Sequence, residues 1–76
     1  MKLMRMKIRL DTFTDAQALA NIANKYEESI TIHDGNGMRV NAKSVLGNIY
    51  ATEFNELWLE SENDHWYDFK DFEVTE

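Results

Sequence analysis

Residues 2–10 alternate between apolar and basic side chains. The apolar positions are Met4, Met6, Ile8 and Leu10, and the basic positions between them are Arg5, Lys7 and Arg9. A period of two residues is typical of a strand with one buried face and one solvated face. The pattern therefore predicts a first strand over residues 2–10.

A spacing of three and four residues follows and predicts a helix from about Asp15 to Glu27. Its apolar positions are Ala16, Leu19, Ala20, Ile22, Ala23 and Tyr26, which form one helical face. Thr14 can cap this helix while Gln17 reaches back, as in a capping box, and Asp15 suits the positive end of the helix dipole.

Two strands joined by a tight turn are predicted over residues 29–41. Ile30 and Ile32 alternate with polar neighbours, and the alternation resumes after the turn segment 34–37. The two glycines of that segment can adopt a positive φ, as hairpin turns require. This phase places His33 on the exposed side of the second strand.

Ser44 comes directly before a short apolar cluster with helical spacing. The cluster comprises Val45, Leu46, Ile49 and Tyr50. It predicts a second helix of about two turns with Ser44 at its N-cap, and Gly47 limits the strength of that helix.

A fourth strand is predicted over Glu56–Ser61. Its alternation directs Leu57 and Leu59 toward one face and Trp58 toward the water-facing side.

The closing segment, residues 63–76, carries Trp66, Phe69 and Phe72 three residues apart. With Asn63 or Asp64 as a cap, this spacing predicts a third helix. Because Phe72 and Val74 also alternate, a fifth strand is the alternative within residues 64–76.

The predicted order β-α-β-β-α-β-α indicates a single α+β domain over residues 1–76. Three helices on one face of a four-stranded antiparallel sheet form an open-faced sandwich. If the first and fourth strands pair, the three cations of the first strand would lie opposite Glu56 and Glu60. The basic opening is then explained first as cross-strand pairing.

Composition narrows the classes of function. A chain of 76 residues with 43% hydrophobic residues can form one small core without a metal or disulfide. It has no cysteine, which fits a cytoplasmic protein, and a net charge of -6 argues against nucleic-acid binding. Charges interrupt the apolar opening at every second residue, so the sequence predicts no membrane span there.

No constellation of catalytic residues emerges from the sequence. A nucleophile with a base, a glycine-rich phosphate loop and a metal-ligand cluster are all missing, so we predict a non-enzyme without cofactor or metal. Both histidines, His33 and His65, are predicted to be surface residues. A metal site formed by His65 with Asp64 and Asp68 is only weakly indicated.

Residues 40–47, VNAKSVLG, resemble the regulatory-serine segment of HPr, the small phosphocarrier of the bacterial sugar phosphotransferase system (PTS). The resemblance extends to Ala16–Tyr26 as the first helix and to residues 62–64 before the last helix. Only the serine segment is specific. The resemblance implies an HPr-like open-faced sandwich and a cytoplasmic protein.

Alignment of this chain with HPr on the basis of that resemblance indicates that the phosphocarrier step has been lost. Residues 10–16 fall on the family motif that holds its phosphorylated histidine, and only Ala16 is retained. The histidine is replaced by Thr12, the phosphate-steadying arginine by Thr14, and the helix-starting proline by Asp15. A threonine hydroxyl needs a base to become nucleophilic, and Asp15 would repel an incoming phosphoryl group. The chain is similar in this respect to the histidine-less regulatory homologues of HPr.

Ser44 has two interpretations. It can be an ordinary capping serine, whose loss would cost about 1 kcal/mol. It can also be a phosphorylation site, because a phosphate at a helix N-cap meets free N–H donors and the positive end of the dipole. Taken alone, the residue favours the capping interpretation, and the resemblance to HPr makes the two interpretations about equal.

A binding surface is predicted around Ser44. Its members are Leu46, Gly47 and Tyr50, with Lys43 and Arg39 at the edge. In the HPr family the corresponding surface contacts enzymes, a serine kinase and a transcriptional regulator. The alternative is that Val45, Leu46 and Ile49 simply form the core side of a short helix.

Two functions follow from these observations. The first is a non-catalytic regulatory protein that is phosphorylated on Ser44 and acts on a regulator or enzyme of sugar metabolism. The alternative is an unphosphorylated interaction or assembly module that retains only the fold, for example a homodimer formed through the open sheet face around Trp58 or a sheet edge.

Overall fold

Four strands form one antiparallel sheet in the computed structural model, which describes residues 3–74. The strands are β1 (Met4–Ile8), β2 (Ile30–His33), β3 (Arg39–Asn41) and β4 (Leu57–Ser61), and they lie in the order β1-β4-β2-β3. The helices are α1 (Phe13–Ala23), α2 (Val45–Ala51) and α3 (Trp66–Phe69), and a 3-10 turn (Lys70–Phe72) follows α3. The predicted open-faced α+β sandwich is confirmed.

The core lies between the helices and one face of the sheet. Its largest fully buried apolar side chains are Leu19, Ile30, Ile32, Leu59 and Phe69. Burial of each contributes about 1.5–3 kcal/mol. The alternation in β1 is confirmed, since its apolar side chains are buried and its basic side chains are exposed. β1 is shorter than predicted, and residue 2 lies outside the described residues.

The N-terminus of α1 differs from the prediction. Thr12, not Thr14, is the N-cap, and its hydroxyl accepts a hydrogen bond from the Asp15 N–H at 3.1 Å. The Asp15 carboxylate in turn accepts from the Thr12 N–H at 3.2 Å, which completes a capping box. Thr14 lies inside the first turn, where it cannot cap the helix. The helix also ends at Ala23, four residues before the predicted end.

Thr12→Ala is expected to lower the free energy of unfolding by about 1 kcal/mol, because the Asp15 N–H loses its acceptor. Thr14→Ala is the matched control and is expected to change it by less than about 0.5 kcal/mol. Urea unfolding of both variants measures the difference. Equal losses would mean that the cap has been assigned to the wrong threonine.

The turn between β2 and β3 forms as predicted. Gly35 and Gly37 have φ values of 75° and 104°, a region that other residues rarely adopt. Asp34 supports the turn, since its Oδ1 accepts from the N–H groups of Asn36 and Met38 at 2.7 and 3.1 Å.

The open face of the sheet carries Trp58, as predicted, while Leu57 and Leu59 are buried. The Arg5 guanidinium lies 5.0 Å and the Lys7 ammonium 5.9 Å from the centre of the Trp58 ring. These cation-π contacts partly cover the indole.

The predicted placement of the basic side chains opposite Glu56 and Glu60 is confirmed for Arg5, but the expected cross-strand ion pair is wrong. Arg5 lies opposite Glu60 in the strand register, but the ion pair of Glu60 with an arginine is made by Arg39, at 3.9 Å. Arg9 pairs instead with Asp11, at 3.4 Å. The indole of Trp58 attracts Arg5 and Lys7 instead, a contact that the alternation of apolar and polar residues does not predict.

The prediction of an exposed His33 is also wrong, because its side chain is only 8% exposed. His33 does point to the open face, in register with Trp58 on one side and Arg39 on the other. Its Nδ1 accepts a hydrogen bond from the Gly35 N–H at 3.1 Å, so the turn folds back against the ring. Large neighbours and this turn bury the side chain on a face that is otherwise solvated.

The closing segment forms the predicted third helix, and a single β-bridge takes the place of the alternative fifth strand among the described residues. α3 is only four residues long, and after the 3-10 turn the chain returns along β1, where Glu73 forms an antiparallel bridge with Ile8. The Val74 N–H donates to the Lys7 carbonyl at 2.9 Å. The predicted cap is wrong, because the N-cap of α3 is His65, which makes no side-chain capping bond. Asp64 lies one residue earlier, and its Oδ1 accepts from the Trp66 N–H at 2.9 Å. Residues 75 and 76 lie outside the described part.

Candidate functional site

Ser44 occupies the N-cap of α2, as predicted. Its backbone is extended, with φ -98° and ψ 121°, and its Oγ accepts a hydrogen bond from the Gly47 N–H at 3.0 Å. The Ser44 carbonyl accepts the first helical bond from the Asn48 N–H at 3.0 Å. The first turn of α2 contains no acidic residue. The half-buried hydroxyl therefore lies at the positive end of a helix with no side-chain anion competing for it.

Asn41 fixes the approach of the chain to Ser44. Its carbonyl accepts from the Ser44 N–H at 2.9 Å, and its Oδ1 accepts from the Lys43 N–H, also at 2.9 Å. The segment between β3 and α2 is thus a hydrogen-bonded turn that presents Ser44 in one orientation.

Gly47 allows α2 to lie close to β3. A Cβ at this position would lie 3.2 Å from the Asn41 carbonyl oxygen and 3.3 Å from the Val40 Cβ. Both distances are shorter than ordinary van der Waals contacts. Gly47 therefore does more than weaken the helix, because the close approach of α2 to β3 depends on it.

Asn48 connects the serine segment with α1, a contact that the apolar spacing of α2 does not predict. Its side chain is fully buried, and its Nδ2 donates to the carbonyls of Ala16 at 3.0 Å and Ala42 at 2.9 Å. The sequence contains one sign of this contact. Asn48 is a polar residue close to Val45 and Ile49 on the core side of the helix, and a buried polar side chain needs hydrogen-bond partners.

Asn24 makes a second connection between the same parts of the molecule. Its Nδ2 donates to the Ala20 carbonyl at 2.8 Å and to the Lys43 carbonyl at 3.0 Å. The end of α1 is thereby linked to the residue next to Ser44.

The predicted apolar surface is present on α2. Leu46 is 79% exposed and Tyr50 is 53% exposed, while Lys43 and Gly47 are half-buried. We call Lys43, Ser44, Leu46, Gly47 and Tyr50 the serine patch. The alternative that Leu46 belongs to the core side is wrong, because the buried residues of α2 are Asn48 and Ala51.

Arg39 does not lie at the edge of the serine patch. On β3, Val40 points toward α2, and Arg39 therefore points to the opposite, open face of the sheet. Its ion pair with Glu60 is on that face. The period of two residues along a strand separates Arg39 from the patch, although the two are close in sequence.

Thr12, which the sequence resemblance places at the position of the HPr histidine, lies in the capping box of α1. The Asp15 carboxylate accepts from the Asp11 N–H at 3.0 Å as well as from the Thr12 N–H. Two backbone donors before α1, the N–H groups of Asp11 and Thr12, are thus already bound to a carboxylate of the same chain. This end of α1 is unfavourable for a phosphoryl group.

His65 is not the surface residue that was predicted, since its side chain is only 15% exposed. Its ring stacks on Tyr26 with 3.8 Å between centroids, and its Nε2 lies 2.8 Å from Glu28 Oε1. The Asp68 carboxylate accepts a hydrogen bond from the Tyr26 hydroxyl instead of facing a metal. Within residues 3–74 no group of three or more histidine, cysteine or acidic side chains could hold a metal ion.

Glu28 has a pKa lowered from 4.5 to about 2. The hydrogen bond with His65 is the main cause, and the side-chain and backbone N–H groups of Asn63 add to it. All these contacts favour the ionised carboxylate, which joins the end of the α1–β2 connection to the segment before α3.

Because the pKa of Glu28 is lowered by folding, its contribution to stability is fully present above pH 4.5 and is lost as the pH falls toward about 2. Glu28→Gln is expected to remove this part of the acid destabilisation, so the stability of the variant changes less over that interval. Urea unfolding between pH 4.5 and about 2 measures how the free energy of unfolding depends on pH, and Glu27→Gln at an exposed position is the control. An acid profile of Glu28→Gln that matches the wild type would contradict the assignment.

None of the helices within residues 3–74 has the length and apolar character needed to cross a membrane.

Comparison with solved structures identifies the fold. The crystal structure of HPr-C-His from Thermoanaerobacter tengcongensis superposes with a TM-score of 0.60 over 92% of this chain and 84% of that chain, at 22% identity. The fold is that of HPr. A second HPr, the phosphocarrier protein from Bacillus anthracis str. Ames, gives a TM-score of 0.58 over 92% of this chain and 88% of that chain, at 20% identity. No protein-family model and no curated protein matches the sequence.

Proposed function

We propose that this chain is a non-catalytic regulatory protein with the HPr fold, switched by phosphorylation of Ser44. The phosphorylated serine patch binds a protein partner, which is a regulator or an enzyme of bacterial sugar metabolism in the cytoplasm. The serine kinase that modifies Ser44 is a second partner.

The observation that carries this proposal is the geometry of Ser44. Its hydroxyl lies at the N-cap of α2, against the Gly47 N–H, and the exposed side chains of Leu46 and Tyr50 lie on the same short helix. A phosphate on Oγ would remain next to N–H donors and the positive helix end, so the folded state tolerates it. The modification would then change the charge of an exposed apolar surface without unfolding it.

The chemistry around Thr12 supports a role other than histidine phosphocarrier. A neutral imidazole is nucleophilic near neutral pH, whereas a threonine hydroxyl requires a base. Here the Thr12 hydroxyl is engaged with the Asp15 N–H, and the Asp15 carboxylate occupies neighbouring donors. The two histidines are also engaged, His33 with the Gly35 N–H and His65 with Glu28.

The alternative is an interaction module that needs no phosphate. The exposure of Leu46 and Tyr50 favours it, because an apolar surface can bind a partner without modification. A homodimer through the open sheet face is less favourable, since Arg5 and Lys7 already lie against Trp58. Sedimentation at increasing concentration tests the dimer directly, and a constant monomer mass would exclude it.

The experiment for the proposed function is the intact mass after incubation with ATP and an HPr serine kinase. The wild type and Ser29→Ala, which changes an exposed serine, are expected to gain one phosphoryl group, and Ser44→Ala to gain none. A parallel incubation with phosphoenolpyruvate and enzyme I of the PTS is expected to leave all three masses unchanged.

Two outcomes would overturn the proposal. One is the absence of phosphorylation while an authentic HPr is modified in the same tube, which would leave Ser44 as a structural cap. The other is a phosphoryl group on His33 or His65 in the second incubation, which would make the chain a phosphocarrier.

A further inference from the structure

A cavity of about 300 Å³ lies at the start of α3, away from the residues of the serine patch. Its walls are formed by Tyr26, Asp64, His65, Trp66, Tyr67 and Asp68. Three of these side chains are aromatic and two are carboxylates. We call this surface the acidic-aromatic cavity.

The charge around the cavity is strongly negative. Residues 62–73 contain five acidic residues and one lysine, which is an excess of four negative charges in a chain whose net charge is -6. Most of the net charge of the protein is therefore concentrated near one short helix. Its field attracts a cationic partner and repels phosphate-rich ligands such as RNA.

The aromatic rings at the rim are accessible. Trp66 is 45% exposed and Tyr67 is 75% exposed, although large aromatic side chains are usually mostly buried. The Lys70 ammonium lies 5.2 Å from the centre of the Tyr67 ring, so this ring already takes part in one cation-π contact. Exposed tryptophan and tyrosine are also the residue types that most often dominate binding energies at protein interfaces.

Each cavity carboxylate uses one oxygen for the fold. Asp64 Oδ1 accepts from the Trp66 N–H, and Asp68 Oδ2 accepts from the Tyr26 hydroxyl. These bonds fix the orientation of both carboxylates. Among the contacts of residues 3–74, the second oxygen of each has no hydrogen-bond donor, so each can accept from an incoming cation.

We propose that the acidic-aromatic cavity binds an arginine side chain in a basic segment of a partner protein. A guanidinium group is planar, stacks on aromatic rings and donates two parallel hydrogen bonds to a carboxylate, which matches a wall of Trp66 and Tyr67 beside Asp64 and Asp68. The proposal involves no residue of the serine patch and stands independently of Ser44 phosphorylation.

A separate partner fits better than a second copy of this chain. The described cations in β1 and directly after it are already engaged, since Arg5 and Lys7 lie on Trp58 and Arg9 pairs with Asp11. Docking β1 of one copy into the cavity of another would break these contacts. A basic segment from another protein can bind without breaking any of these contacts.

The test uses a short fluorescein-labelled peptide, glycine-arginine-serine-arginine-glycine, titrated with the full chain and followed by fluorescence anisotropy. A peptide with citrulline in place of both arginines is expected to bind at least about fivefold more weakly, because it keeps the shape and loses the charge. Tyr67→Ala and Asp64→Asn are each expected to weaken arginine-peptide binding about two- to fivefold, and the double variant about tenfold.

Folding is preserved in both single variants, since Tyr67 is exposed and an asparagine at position 64 keeps the Oδ1 acceptor. Glu53→Gln removes the same charge from an exposed position after α2 and is expected to change binding by less than about 1.5-fold.

Three results would overturn the proposal. The first is equal weakening by Glu53→Gln and Asp64→Asn, which would indicate general charge attraction. The second is equal binding of the citrulline peptide. The third is a concentration-dependent dimer in sedimentation that Tyr67→Ala abolishes, which would make a second copy the occupant of the cavity.

Discussion

Asn48→Asp is expected to lower the free energy of unfolding by about 3–5 kcal/mol, because it places an uncompensated charge in the core. The Nδ2 donor that now binds the carbonyls of Ala16 and Ala42 would become an acceptor facing two acceptors. Asn48 Oδ1 is also buried and has no hydrogen-bond partner among the described residues, so the new carboxylate would find no donor. For a domain of 76 residues, whose total stability is roughly 4–11 kcal/mol, this loss removes much of the native population.

Asn55→Asp is the matched control, since it introduces the same group at an exposed position between α2 and β4. It is expected to change stability by less than about 0.5 kcal/mol. Urea unfolding at neutral pH, followed by circular dichroism, compares the two. A stable Asn48→Asp variant would mean that α1 and the serine segment are held together by something other than Asn48.

Phe69→Ala is expected to destabilise the domain by about 3–5 kcal/mol. Phe69 is the largest fully buried side chain, although it lies on a helix of only four residues. So short a helix has little stability of its own, and packing of this ring against the core is what holds α3 in place. Because Phe69 fixes the position of α3, the chain after it runs back along β1, where Glu73 forms a bridge with Ile8.

Tyr67→Ala removes an aromatic ring two residues earlier on the same helix, where the side chain is 75% exposed. It is expected to cost less than about 1 kcal/mol, measured by urea unfolding alongside Phe69→Ala. Similar losses in the two variants would show that burial of Phe69 is not what anchors the segment.

Local sequence patterns predicted the elements in which buried side chains recur at a regular spacing. The alternation in β1, the glycine turn after His33 and the Ser44 cap all depend on residues close in sequence, and all three are confirmed. The resemblance of the serine segment to HPr predicted the fold, and the structural similarity confirms that fold.

The choice between Thr12 and Thr14 shows why element ends are harder to predict. Both threonines are followed three residues later by a side chain that can complete a capping box. The structure selects the pair Thr12 and Asp15, because α1 begins two residues earlier than its apolar spacing suggested.

Tertiary contacts were not predictable from the pattern. His33 is buried by a turn and by neighbours on other strands, and His65 meets Glu28, which lies 37 positions earlier in the chain. Asn48 joins carbonyls from two separate elements. No period along a single element reveals such partners, because each contact forms only after the elements have packed.

Both proposed binding surfaces consist of side chains that the core does not need. Leu46 and Tyr50 form one surface on α2, and Trp66 and Tyr67 form the other on α3. The proposed regulatory function would act through such surfaces. The phosphate on Ser44 would control the first surface and leave the second unchanged.

The most direct test of the central claim is the ¹H–¹⁵N NMR spectrum of the protein before and after treatment with ATP and an HPr serine kinase. We expect a folded phosphorylated protein in which the Ser44, Gly47 and Asn48 amide resonances shift, while those of residues 62–73 keep their positions. An unchanged spectrum beside a modified authentic HPr, or a phosphorylated protein that has lost its dispersed resonances, would contradict it.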